Sequence, residues 1–156
     1  MSDKESNKQK EDQFFIRKRE LGELFDSTYP LEINLWRGNN PHNENPILYP
    51  ILKSFLLSNG RLRKEDIKTY TKNNELWVDA TSGGISLFDK RGVPVKSWEY
   101  FMLKARVKIP LGLVITKDDW KENFGAHHYT IRPNWDMPVK TFCTLLDDLM
   151  TKLIKD

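Results

Sequence analysis

From Pro138 onward, Val139, Phe142, Cys143, Leu146, Leu149, Met150 and Leu153 recur at three- and four-residue steps. That spacing draws one apolar stripe along a helix, and proline is well tolerated in the first helical turn. A helix with a single apolar face has to lay it on another element. The preceding segments supply one: Leu76 to Val78, Ile85 to Phe88, Leu113 to Thr116 and Tyr129 to Ile131 are short and rich in β-branched and aromatic residues. Gly83-Gly84, the Asp89-Lys90-Arg91-Gly92 turn and Pro133 punctuate them. A sheet in the second half closed by a final helix makes the chain α+β.

The chain has 156 residues, room for one domain, expected over residues 14–156. Met1 to Gln13 mixes Lys4, Lys8 and Lys10 with Asp3, Glu5, Glu11 and Asp12 and has no apolar residue after Met1. It cannot repay the entropy of ordering and reads as a disordered polar tail. Apolar residues make up 38% of the whole, enough for a core, so wholesale disorder is excluded. A net charge of +3 is too small to imply a nucleic-acid surface without a local patch.

No apolar run approaches the roughly 20 residues of a spanning helix, and no apolar segment follows a basic start as in a secretory signal. The expected location is cytoplasmic, with no membrane partner. Cys143 is the single cysteine, which rules out an internal disulfide and a cysteine-based zinc site. It reads as a small buried hydrophobe.

Further elements follow from pattern. Phe14 to Phe25 has Leu21, Leu24 and Phe25 at helical spacing, and Glu32 to Gly38 alternates as a strand. Pro50 to Leu57 reads as a helix stopped by Ser58-Asn59-Gly60, and Arg63 to Lys72 as a second, polar helix. Val93 to Val95 is expected to return as a strand, and Ala105, Val107 and Ile109 to alternate along another.

Three places hold residues with chemistry to offer. Arg37 shares strand parity with Ile33 and Leu35, so its guanidinium lies on the apolar side and needs an anion. That anion is either a structural partner such as Asp79 or Asp89, or phosphate oxygens, which its planar fork fits. Gly83 and Gly84 let backbone N–H groups approach a ligand without Cβ interference, or simply form a loop. Ser86 points away from Ile85 and Leu87. His127 and His128 are adjacent on a strand, face opposite sides and cannot easily chelate one ion, so no metal site is expected. Trp36, Phe88 and Tyr129 are aromatics near these motifs, available to sandwich a planar ring or to fill the core.

Taken in order, Leu35-Trp36-Arg37-Gly38, Gly83-Gly84-Ile85-Ser86-Leu87-Phe88-Asp89 and His128-Tyr129-Thr130-Ile131-Arg132-Pro133 resemble the small ADP-ribosyltransferase-like toxin family of type VI secretion effectors. The resemblance runs from about Ile33 to the last helix and takes in Lys108-Ile109-Pro110 and Leu145 to Leu149. It implies an ADP-ribosyltransferase-like split β-sandwich with surrounding helices and NAD in the cleft between the sheets.

Residue by residue, the resemblance implies that Arg37 meets NAD phosphate and ribose, and that Ser86, after Gly83 and Gly84, shapes the nicotinamide pocket. His128 and Tyr129 match the third motif. Ser86 and His128 are thus the implied catalytic residues, and Arg37, Gly83, Gly84, Ser86 and Tyr129 the implied NAD-binding ones. Wider relatives of the arginine-serine-glutamate type carry a glutamate in the third motif, and His127 to Ile131 has none. Glu122, Asp118, Asp119 or His128 itself has to replace it.

The expected function is a toxin that transfers ADP-ribose from NAD to an unknown cytosolic target after signal-peptide-independent delivery. The family also implies an immunity protein that occludes the cleft. One alternative is an NAD-glycohydrolase. The other is a non-catalytic nucleotide- or nucleic-acid-binding module that uses Arg61, Arg63, Lys64 and Lys68, although such charge runs are commonly solvated surface.

Overall fold

A computed structural model describes residues 13–156. The tail expectation over residues 1–12 lies outside the described residues, and Gln13 stands in the first helix, α1, traced through residues 13–20. Twelve strands and a second helix follow. In chain order the strands are β1 (Leu24–Phe25), β2 (Leu35–Asn39), β3 (Phe55–Leu56), β4 (Leu62–Arg63), β5 (Thr69–Lys72) and β6 (Glu75–Val78). Then come β7 (Ile85–Phe88), β8 (Glu99–Leu103), β9 (Leu113–Lys121), β10 (Ala126–Pro133), β11 (Met137–Pro138), α2 (Val139–Met150) and β12 (Ile154–Lys155).

Seven strands form one sheet in the order β1-β9-β10-β7-β2-β8-β12, with every neighbouring pair antiparallel. Three more form the sheet β11-β6-β5, and β3 and β4 make a separate hairpin. The apolar stripe does what its spacing dictates. Phe142, Leu146 and Leu149 of α2 are fully buried in one cluster with Leu35, Ile85, Leu87, Leu103, Leu113, Ile115 and Ile131. Cys143 is half-buried beside this seam, and burial, then the charge of Asp147, push its thiol up, away from the reactive thiolate.

Several expected elements take other forms. The helix expected over Phe14 to Phe25 stops by residue 20 because Gly22 adopts φ +70°. Its N–H bonds the Arg19 carbonyl while that of Glu23 bonds the Lys18 carbonyl, the paired closure of a helix on a left-handed glycine. Leu24 then enters the core from β1.

The helices expected over Pro50 to Leu57 and Arg63 to Lys72 are absent. Phe55 and Leu56 pair with Arg63 and Leu62 around Asn59-Gly60, so the apparent helix stop is a hairpin turn. Thr69 to Lys72 pairs with β6 around Asn73 and Asn74, both at positive φ as a tight two-residue hairpin turn requires. Val93 to Val95 is a loop. Ala105 lies in a turn with Arg106, their amides bonding the Asn34 side chain and the Leu31 carbonyl, Val107 and Ile109 follow it outside any strand, and the strand in that region is β8 instead.

The free-standing β3–β4 hairpin exposes Phe55, Leu56 and Leu62. Leu146 and Leu56 therefore make a contrasting pair, fully buried and 71% exposed. Leu146→Ala should cost about 2–5 kcal/mol in urea-melt stability. Leu56→Ala should change it by no more than about 0.5 kcal/mol.

Candidate active site

Alternation along β7 and β10 divides their side chains between two faces. Ile85, Leu87, Tyr129 and Ile131 enter the core, while Ser86, His128, Thr130 and Arg132 face a cleft of about 430 Å³. Gly83, Gly84, Glu65, Asp66, Asp118, Asp119 and Lys121 complete its lining. The volume falls within the range of small-molecule sites.

A register shift brings carboxylates to His128. His127 pairs with Trp120 and Tyr129 with Lys117, so Asp118 and Asp119 of β9 together oppose His128. Two residues against one is a β-bulge, and it re-aims both aspartates toward one imidazole. His128 Nδ1 lies 3.2 Å from Asp118 Oδ2 and 3.9 Å from Asp119 Oδ1. Its Nε2 lies 2.8 Å from Ser86 Oγ. The result is a continuous chain Ser86–His128–Asp118, with the Phe88 ring 5.4 Å from the imidazole.

Asp118 has its acceptor sites occupied. The Thr116 hydroxyl donates to Oδ1 at 3.0 Å and the Thr130 hydroxyl to Oδ2. The Arg132 guanidinium stands 3.7 Å away, and Lys18 of α1 3.9 Å. Burial pushes the Asp118 carboxyl up, but the hydrogen bonds from His128, Thr130 and Thr116 and the charge of Arg132 outweigh it, holding the group below its ordinary range. Arg132 donates from Nε to Thr116 at 3.0 Å and lies over the Phe14 ring of α1. Burial lowers its pKa while Asp118 raises it.

The structure brings Gly83, Gly84, Ser86 and His128 together at the cleft. Both glycines also have a packing reason. A Cβ on Gly83 would stand 2.1 Å from the Asp66 carbonyl oxygen, and one on Gly84 1.9 Å from that of Ile131.

β2 begins only at Leu35, leaving Ile33 outside the strand and exposed, and Arg37 does not line the cleft and meets neither Asp79 nor Asp89, which bond Thr81 and His127 instead. Its Nη1 donates to the Ser86 carbonyl at 2.9 Å and its Nε to the Ile47 carbonyl at 3.4 Å. Burial lowers its pKa, Asp66 raises it and Arg63 lowers it. β2 and β7 pair only at Trp36 and Phe88, so Arg37 meets a β7 carbonyl just beyond that junction.

Tyr129 is carried into the core by strand alternation, away from the cleft. Burial, then the charges of Asp89, Asp118 and Glu23, push its hydroxyl up to about 12. Glu122 stands in the turn after β9 and does not line the cleft. Trp36 donates to Asp156 at 2.7 Å. Among the described residues no group of three or more His, Cys, Asp or Glu is arranged to hold a metal, and no helix is long and apolar enough to cross a membrane.

Asp118 was one of four candidates for the missing glutamate, and only its geometry singles it out. The signal is the Asp118-Asp119 pair itself, since a bulge keeps both side chains near one cross-strand residue.

Compared with known proteins, the chain matches the family model described as Tse2 ADP-ribosyltransferase toxin over residues 14–156. No curated protein matches it. Mostly antiparallel sheets with two helices are the α+β arrangement of an ADP-ribosyltransferase-like fold.

The lowered Asp118 pKa has a defined sign in stability. A carboxyl depressed by folding contributes fully above its unfolded value, about 3.9, and loses that contribution as pH falls through the folded value. Asp118→Asn should therefore be less stable by about 1–3 kcal/mol near neutrality, because a buried donor loses its acceptor. The gap from wild type should narrow below about pH 4. Urea melts of both proteins across that range would read it directly.

Proposed function

The chain belongs to the Tse2 ADP-ribosyltransferase toxin family, and from that premise we propose that it takes NAD into the Ser86–His128 cleft and transfers ADP-ribose to an acceptor in the cytosol. The observation that carries this reading is the 2.8 Å contact between Ser86 Oγ and His128 Nε2. It joins the second and third motifs at one point of a polar cleft.

Lys121 and Arg132 are the two cations of the cleft lining, and each faces a carboxylate there, Asp119 and Asp118, so a pyrophosphate would take them over from those partners. NAD supplies an activated glycosidic bond whose cleavage leaves positive character on the ribose. Ser86 borders the nicotinamide side in this reading, and His128 orients a ribose hydroxyl or the incoming group. Arg37 does not line this cleft and spends Nε and Nη1 on backbone carbonyls, so its part toward NAD phosphate rests on the family resemblance alone. The same reading includes delivery into a target cell's cytosol and, in a producing cell, an immunity protein that covers the cleft.

The nucleic-acid alternative loses its motivating feature. Arg61, Arg63, Lys64 and Lys68 do not lie on a helix, and Arg63 is bound to Asp66 at 2.9 Å. Water as acceptor, giving an NAD-glycohydrolase, uses the same residues and differs only in product.

His128→Ala should lower nicotinamide release by about a hundredfold or more while changing NAD affinity little. Arg37→Lys should weaken NAD binding in calorimetry while the protein stays folded. Lost stability with unchanged affinity would instead assign Arg37 to bridging β2 and β7. Transfer of labelled ADP-ribose to lysate macromolecules separates transferase from hydrolase. Folded wild-type protein that neither releases nicotinamide nor transfers label would sink the reading.

A further inference from the structure

We propose that Asp118 is the positioning residue that stands in for the missing glutamate, acting through His128: it fixes the proton on Nδ1 so that Nε2 collects the proton of the incoming acceptor. This rests on the ADP-ribosyl transfer reading.

An ionised carboxylate can only accept hydrogen bonds, and Asp118 is held ionised by the donors around it. The nitrogen 3.2 Å from its Oδ2 must therefore carry hydrogen. A neutral imidazole has one N–H, so Nε2 is then bare and the Ser86 hydroxyl, 2.8 Å away, donates to it. Asp118 is also too fully engaged to reach a ribose hydroxyl itself. Thr116, Thr130, His128 and Arg132 surround its two oxygens, and its side chain is only 16% exposed. Its influence has to pass through the ring.

The surroundings of His128 are asymmetric in the way a base needs. From β9, Asp118 and Asp119 face Nδ1, and Asp119 is itself bound to Lys121 at 3.0 Å. From β7, the Ser86 hydroxyl meets Nε2 and the Phe88 ring covers one side. Arg132 on β10 and Lys18 on α1 reach Asp118, while Glu65 and Asp66 line the cleft beyond. Negative charge stands behind the ring and a hydroxyl in front of it.

During transfer, His128 Nε2 takes the acceptor's proton in place of its hydrogen bond from Ser86 Oγ. The acceptor's electron pair forms the new bond to ribose C1′, and the bond from C1′ to nicotinamide breaks with its electron pair left on the nicotinamide nitrogen. The imidazolium so formed is paired with Asp118. His128 returns the proton to solvent after product leaves, and Ser86 Oγ bonds Nε2 again. The acceptor class is accordingly a protic group, a hydroxyl or an amine.

The test is the tautomer of His128, read by long-range proton–nitrogen correlation on protein labelled with nitrogen-15 histidine near neutral pH. His128→Gln identifies its signals. Wild type should show Nδ1 protonated and Nε2 bare. Asp118→Asn, whose amide can donate to Nδ1, should lose that pattern, whereas Asp119→Asn should keep it. In Asp118→Asn, kcat for nicotinamide release should fall about a hundredfold or more with KM within about threefold. A wild-type ring protonated on Nε2 overturns the proposal, and this spectrum decides even if Asp118→Asn fails to fold. So does an Asp118→Asn protein with unchanged tautomer or unchanged kcat. An Nδ1-protonated wild type that consumes no NAD upholds the role of Asp118 on the ring and overturns the transferase reading instead.

Discussion

A carboxylate set into a sheet face has to be supplied with donors, and the arrangement around Asp118 satisfies that demand from three elements at once. Thr116 comes from its own strand, Thr130, His128 and Arg132 from β10, and Lys18 from α1. A buried charge left short of partners costs several kcal/mol, so these groups are held in mutually consistent positions. The bulge that opposes two aspartates to one histidine is what makes the convergence possible. Remove the carboxylate and Arg132, which reaches Thr116, the Thr81 carbonyl and Asp118, loses its counter-charge in a largely buried place.

Gly83 and Gly84 show how one pair of residues can carry two meanings. Both border the cleft, as a ligand-cradling segment must. Both are also forced to be glycine by oxygens where a Cβ would sit, those of Asp66 and Ile131. The close approach is packing in origin, and the Gly84 N–H is spent on the Asp66 carbonyl. A substitution there disturbs both at once, which is why the mutational tests rest on His128, Asp118 and Arg37.

What could be read from the sequence was whatever depends on local period. The stripe on α2, the parity that sends Ser86 away from Ile85 and Leu87, and the opposed faces of His127 and His128 follow from spacings of 3.6 and 2 alone. Segments whose partners decide their state were misread. Phe55 and Leu56 fit a helical spacing, yet Asn59-Gly60 folds them onto Leu62 and Arg63. β8 sits between β2 and β12 and went unread, since long-range pairing sustains it more than local signal. Arg37's acceptors, two backbone carbonyls, were not legible. Asp118 could be named only as one acid among several, because a bulge shifts register in a way that no periodicity announces.

Asp66 fastens three segments that share no strand. Its side chain accepts from the Ile51 N–H at 2.7 Å and from Arg63 Nη2 at 2.9 Å. Its own N–H donates to the Ile51 carbonyl, and its carbonyl accepts from the Gly84 N–H. The β3–β4 hairpin, which belongs to neither larger sheet, is thereby tied through Asp66 to the cleft wall at Gly84, two residues from Ser86. Loss of the Asp66 carboxylate would release Arg63 and the Ile51 N–H together, so the hairpin and the segment before it share one anchor.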